Sequence, residues 1–71
     1  MSTRKGRVRN NIRDLRSARG LSQGALADQV GATRQTINAI EQEKYAPSLE
    51  LAFRIALAFD VEFEDVWAFT A

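Results

Sequence analysis

Residues 23 to 42 read QGALADQVGATRQTINAIEQ, from Gln23 to Gln42. The stretch is two short amphipathic helices around a glycine-centred turn. Leu26, Ala27 and Val30 make one apolar face, and Ile37 and Ile40 make another at i, i+3. Ala27 is small where two crossing helices approach closely. Gly31 follows the first helix, where a residue with positive φ closes it at low cost. Thr33 can then cap the second helix, which carries Arg34, Gln35, Thr36 and Asn38 on its exposed side. Such side chains can pair with base edges and phosphates. The spacing predicts a helix-turn-helix.

Outward from this motif, the 71 residues allow one domain at most, with a small core. Chains of this size usually need a disulfide, a metal or a second subunit. Cysteine and histidine are both absent, which removes disulfides and the usual zinc ligands and makes a homodimer the expected reinforcement. No apolar run approaches the roughly 20 residues of a membrane span, and no signal-peptide pattern precedes the domain. The absence of cysteine fits a cytoplasmic protein. Charge is segregated along the chain. Residues 1–44 hold nine basic against four acidic residues, a balance of +5, and residues 45–71 hold one against five, a balance of −4. A basic half joined to an acidic half suggests one surface facing a polyanion and another facing away.

In chain order, residues 1–9 (MSTRKGRVR) form a basic segment without helical periodicity. Met1 to Gly6 are expected to be mobile. Arg4, Lys5, Arg7 and Arg9 make either an arm along DNA or a solubilising tail, and Val8 between arginines permits a short strand. Residues 10–71 form the domain. Asn10 or Asn11 can cap a first helix to about Arg19, with Ile12, Leu15 and Ala18 inward. Gly20 is its C′ residue and Ser22 caps the second helix. Pro47 stops propagation after the third helix, and Ser48 caps a fourth over about Leu49 to Phe59. Leu49, Ala52, Ile55, Ala56 and Phe59 form its inward stripe. Leu51, Phe53, Leu57 and Ala58 leave the rest so apolar that the helix is either central or covered by a partner. Asp60 breaks it, Val61 enters the core, and Glu62 to Val66 form a last short helix. Five short helices make an all-α bundle.

The segments LRSARGLSQGALA, VGATRQTINAIE, KYAPSLELAFRIALAFDV and FEDVW resemble the Cro/CI-type (XRE) family of helix-turn-helix regulators. The resemblance covers the chain from about Asn10 to Val66. It is strongest to the short stand-alone members, of which the cytolysin repressor is one. It implies a five-helix lambda-repressor-like DNA-binding domain, an antiparallel sheet formed by the chain ends (at Val8 and at Trp67 to Phe69) and dimerisation through the C-terminal part. It also implies roles for matching positions. Arg34, Gln35 and Asn38 correspond to residues that reach base edges, with Thr33 and Thr36 flanking them, and Ala39 can touch only a thymine methyl. Ser22 and Gln23 correspond to a phosphate clamp at the helix start, and Lys44 and Tyr45 to the loop that grips the backbone across the groove. Arg16 and Glu41 match an ion pair joining the first helix to the third. Three positions depart from the family pattern: Glu43 where Gly or Asn is usual, Asp60 where Gly is usual, and Glu62 in place of a Ser/Thr cap.

The bland alternative for Arg34 and Gln35 is an ordinary solvated helix face. For Phe53, Leu57, Phe63, Val66, Trp67 and Phe69 the choice lies between a dimer surface and completion of a monomeric core. An enzyme has little to stand on: no phosphate-binding glycine loop or nucleophile elbow appears. Glu62, Glu64 and Asp65 sit at a helix start that favours acids without any metal. The expectation is a homodimeric, cytoplasmic, nucleoid-associated DNA-binding repressor that acts on duplex DNA with an inverted-repeat operator and needs no cofactor. The rival is an antitoxin or bridging factor that uses the same fold to bind a partner protein. The chain length leaves no room for a ligand-sensing domain.

Overall fold

The three polar residues at Ser22, Thr33 and Ser48 set the frame of the molecule. In the computed structural model, which describes residues 6–71, each opens a helix by accepting the backbone N–H three residues on. Ser22 Oγ takes Ala25 N at 3.0 Å, Thr33 Oγ1 takes Thr36 N at 3.1 Å, and Ser48 Oγ takes Leu51 N at 3.2 Å. The elements in order are β1 (Arg7–Asn10), α1 (Ile12–Ala18), α2 (Gln23–Val30), α3 (Arg34–Glu41), α4 (Leu49–Phe59), α5 (Phe63–Val66) and β2 (Trp67–Thr70).

Helix ends follow the backbone's need for a left-handed residue. Gly20 and Gly31 take φ of 61° and 73°, and the acids Glu43 and Asp60 take φ of 61° and 57°. After α3, Glu43 N donates to Ile40 O at 2.9 Å and Lys44 N to Ala39 O at 3.0 Å. The same paired bonds close α1 and α4, so each terminus is a Schellman turn. Both acids therefore do adopt the conformation that the family usually gives to glycine. The start of α1 is handled by Asn10: its Oδ1 accepts Ile12 N at 3.1 Å, whereas Asn11 makes no side-chain cap. Asp65 reaches back from α5 to the Glu62 N–H at 3.0 Å, which closes the helix start without Ser or Thr.

The core gathers Ile12 of α1, Leu26, Ala27 and Val30 of α2, Ile37 and Ile40 of α3, and Ala52, Ile55, Ala56 and Phe59 of α4. Leu15, Leu21 and Val61 pack against it, half-buried. Two expected core residues lie outside. Ala18 is exposed because α1 ends there, and Leu49 stays 67% exposed because it sits in the first turn of α4, beyond the reach of α2.

The chain ends meet in a two-stranded antiparallel sheet with Val8 opposite Phe69 and Asn10 opposite Trp67. Asn11 N continues the tie by donating to Val66 O at 2.9 Å. Trp67 is carried inward, where its Nε1 donates to Ala52 O at 3.0 Å. Of the arm, Arg7 and Arg9 lie in β1. The expected mobility of residues 1–5, with Arg4 and Lys5, concerns positions outside the described residues.

Candidate nucleic-acid interface

Ile37 and Ile40 are buried, and this alone turns the rest of α3 outward. Arg34, Gln35 and Asn38 are exposed, and Thr36 and Ala39 are half-buried. Thr33, Gln35, Thr36 and Ala39 line a shallow depression whose far wall is Tyr45. The Thr33 and Thr36 hydroxyls share a hydrogen bond at 2.9 Å. Lys44 and Tyr45 are exposed on the loop after α3. The candidate base-reading and backbone-gripping residues thus share one continuous surface.

What orients α3 is Glu41 at its C-terminal end. Its carboxylate accepts Arg16 Nε at 2.6 Å and Arg16 Nη2 at 2.9 Å, a two-pronged pair whose Glu41 side chain is 2% exposed. Arg16 Nη1 also donates to Leu21 O at 3.1 Å. On the other side, Gln23 Nε2 donates to Glu41 Oε1 and to Asn38 Oδ1, both at 3.2 Å. One carboxylate therefore fixes α1, α2 and α3 together and reaches an exposed side chain of α3. The hydrogen bonds from Glu41 raise the Arg16 guanidinium above its ordinary value; burial opposes this and the carboxylate's charge adds to it.

The sequence reasoning passed over Gln42. Its Nε2 donates to Asn38 Oδ1 at 3.2 Å, so Gln23 and Gln42 hold Asn38 from both sides. The i, i+4 spacing of Asn38 and Gln42 carried that signal. It also left Glu43 without a partner; its carboxylate lies 3.7 Å from Arg7 Nε and 3.4 Å from Arg9 Nε.

The residues expected at a dimer surface divide. Val66 and Trp67 are buried in the single chain's own core and offer no surface to a partner. Phe63 is half-buried and stacks between Phe53 and Trp67, with ring centres 4.8 and 6.4 Å away. Phe53, Leu57 and Phe69 are exposed, Leu57 by 76%. Near them Val8, Pro47, Leu49, Phe63 and Phe69 border an apolar groove of about 340 Å³.

A three-element frame that buries one side of α3 and presents its polar side defines a helix-turn-helix DNA-binding protein. The helix-turn-helix family model matches residues 12–66, and the chain belongs to that family, in its Cro/CI-type (XRE) branch. It is similar, at 47% identity over 60 residues, to YgzD of Bacillus subtilis, an uncharacterized HTH-type transcriptional regulator. That match covers 84% of this chain and 91% of the relative. An uncharacterized HTH-type transcriptional regulator of Methanothermobacter thermautotrophicus is 51% identical over 61 residues, covering 84% of this chain and 88% of the relative. Among solved structures, the restriction-modification controller protein C.AhdI from Aeromonas hydrophila superposes with a TM-score of 0.72 at 35% identity, covering 76% of this chain and 82% of that one. The chain is a DNA-binding transcriptional regulator, a class defined by binding and not by an enzymatic reaction. No helix among the described residues is long and apolar enough to cross a membrane.

Proposed function

We propose that the protein is a sequence-specific repressor that binds an inverted-repeat operator as a homodimer, with α3 in the major groove. The observation that carries this reading is the outward row Arg34, Gln35 and Asn38 on a helix whose opposite side is locked by Ile37, Ile40 and Glu41. Arg34 and Gln35 read base edges, arginine suiting guanine and glutamine suiting adenine, and Asn38 joins them. Thr36 and Ala39 add contacts to a base edge and a thymine methyl. Ser22, Gln23, Thr33, Lys44 and Tyr45 position the helix on the phosphates. Repression requires only that the bound dimer occupy the promoter, and it takes place where the DNA is, in the cytoplasm at the nucleoid.

Exposed Phe53, Leu57 and Phe69 supply the dimer contact, with Phe63 beneath them. A twofold dimer places half-site centres about 34–36 Å apart, or a multiple of this. The same apolar groove supports a second reading, in which a partner protein occupies it and the fold serves as an antitoxin or bridging factor.

The test is selection of bound duplexes from a random DNA pool with the intact chain. The proposal expects enrichment of one inverted repeat with that half-site spacing. Recovery of unrelated sequences in equal measure would contradict it.

A further inference from the structure

We propose that Glu43 is an internal stand-in for a DNA phosphate: it holds Arg7 and Arg9, and the DNA backbone takes them over on binding. The inference rests on the DNA-binding reading above and deepens it by assigning a phosphate site to β1 and a residue that masks it.

Four observations carry it. First, Arg7 and Arg9 lie on one face of β1, two residues apart, and both direct their guanidinium groups to Glu43. Second, their backbone is fixed, Arg7 opposite Thr70 and Arg9 opposite Ala68, so only the side chains need move to change partner. Third, the groove bordered by Arg7, Val8, Glu43, Lys44 and Tyr45 sets these cations beside the loop that faces the DNA backbone. Fourth, the contacts are loose. At 3.4 and 3.7 Å, with the arginines 54% and 65% exposed, they are unlike the 2.6 Å fork between Arg16 and Glu41. Exposed pairs of this kind hold weakly and are screened by salt, whereas neutralising a duplex phosphate releases a condensed counterion.

The backbone adds weight. Glu43 stands at a left-handed position that glycine or asparagine fills with less strain, and it has φ of 61°. A carboxylate there is a cost to the helix end and a charge in the one place that meets both arginines. Its consequence is restraint. Until a phosphate competes, two cations are half-neutralised, and the general attraction to any duplex is reduced.

The experiment measures binding of the intact chain by fluorescence anisotropy across a salt series. It uses two duplexes, one enriched from the random pool and one of equal length with scrambled sequence. Glu43→Gln is expected to bind both several-fold more tightly at low salt. Its slope of log K against log salt should be steeper by about 0.9 for each additional phosphate that the freed arginines neutralise. Glu43→Asn, which tolerates the left-handed backbone, should do the same, and melting curves verify that both fold. In an Arg7→Gln/Arg9→Gln background most of that tightening should vanish. An equal increase in affinity with or without the arginines, or unchanged affinity and slope for Glu43→Gln, would overturn the proposal while leaving DNA binding intact. A wild-type chain that binds neither duplex would overturn both readings.

Discussion

Glu41 is the side chain on which the geometry of the site turns. It sits at the end of α3, nearly excluded from water, and takes two bonds from Arg16 and one from Gln23. Removing one member of such a pair strands the other charge, at a cost of about 3–5 kcal/mol when fully buried and somewhat less here because Arg16 is 15% exposed. Glu41→Ala should therefore lower the melting temperature by roughly 10 °C or more, given about 4–8 °C per kcal/mol in a domain of this size. Thermal denaturation followed by circular dichroism measures it. Arg16→Met/Glu41→Leu should lose less than Glu41→Ala, since no charge is left unpaired. The sign of the pH effect follows from the same bonds. The Arg16 guanidinium is raised in the folded state, chiefly by its hydrogen bonds to Glu41. Its contribution is thus complete below the unfolded value and is lost only as strongly alkaline pH passes the folded one. Across the neutral range the guanidinium makes no pH-dependent contribution to stability.

At the scale of the helices, the starts and the stops have different causes. Ser22, Thr33 and Ser48 cap through bonds that span three residues, and Gly20 and Gly31 close helices by local backbone preference. Such features are legible in sequence because they need no distant neighbour. Leu49 and Trp67 show where legibility ends. Leu49 belongs to the apolar stripe of α4 by spacing, yet it lies in the first turn and remains in water. Trp67 resembles part of an exposed aromatic tail, yet strand pairing with β1 and the Ala52 carbonyl carry it into the core. Both outcomes depend on tertiary partners. The site was more legible than the dimer surface for the same reason, since Ile37 and Ile40 alone decide which way Arg34, Gln35 and Asn38 point. Asp60 offers a test of the stops. Exposed, and held at φ of 57°, it bears left-handed strain that glycine removes. Asp60→Gly is expected to stabilise the fold by about 0.5–1 kcal/mol, a rise of several degrees in melting temperature. A fall would show that the Asp60 side chain contributes more than its backbone strain costs.

Over the whole molecule, charge and apolar surface are kept apart. The basic half of the sequence supplies α3, its loop and β1, and the acidic half carries the exposed aromatic and leucine side chains of α4 and β2. The sheet joins the two ends of the described chain, so β1 with its arginines is held to the strand that presents Phe69. One molecule thus offers a polar surface suited to a polyanion and an apolar one suited to a second protein surface. The central claim is that α3 reads DNA sequence through Arg34 and Gln35, and the most direct test separates reading from folding. A mobility shift compares the wild-type chain with Arg34→Ala/Gln35→Ala on the duplex enriched from the random pool, with melting and sedimentation run in parallel. The predicted result is loss of the shift by a variant that melts as the wild type does and sediments as the same dimer. An undiminished shift on that duplex would contradict the claim.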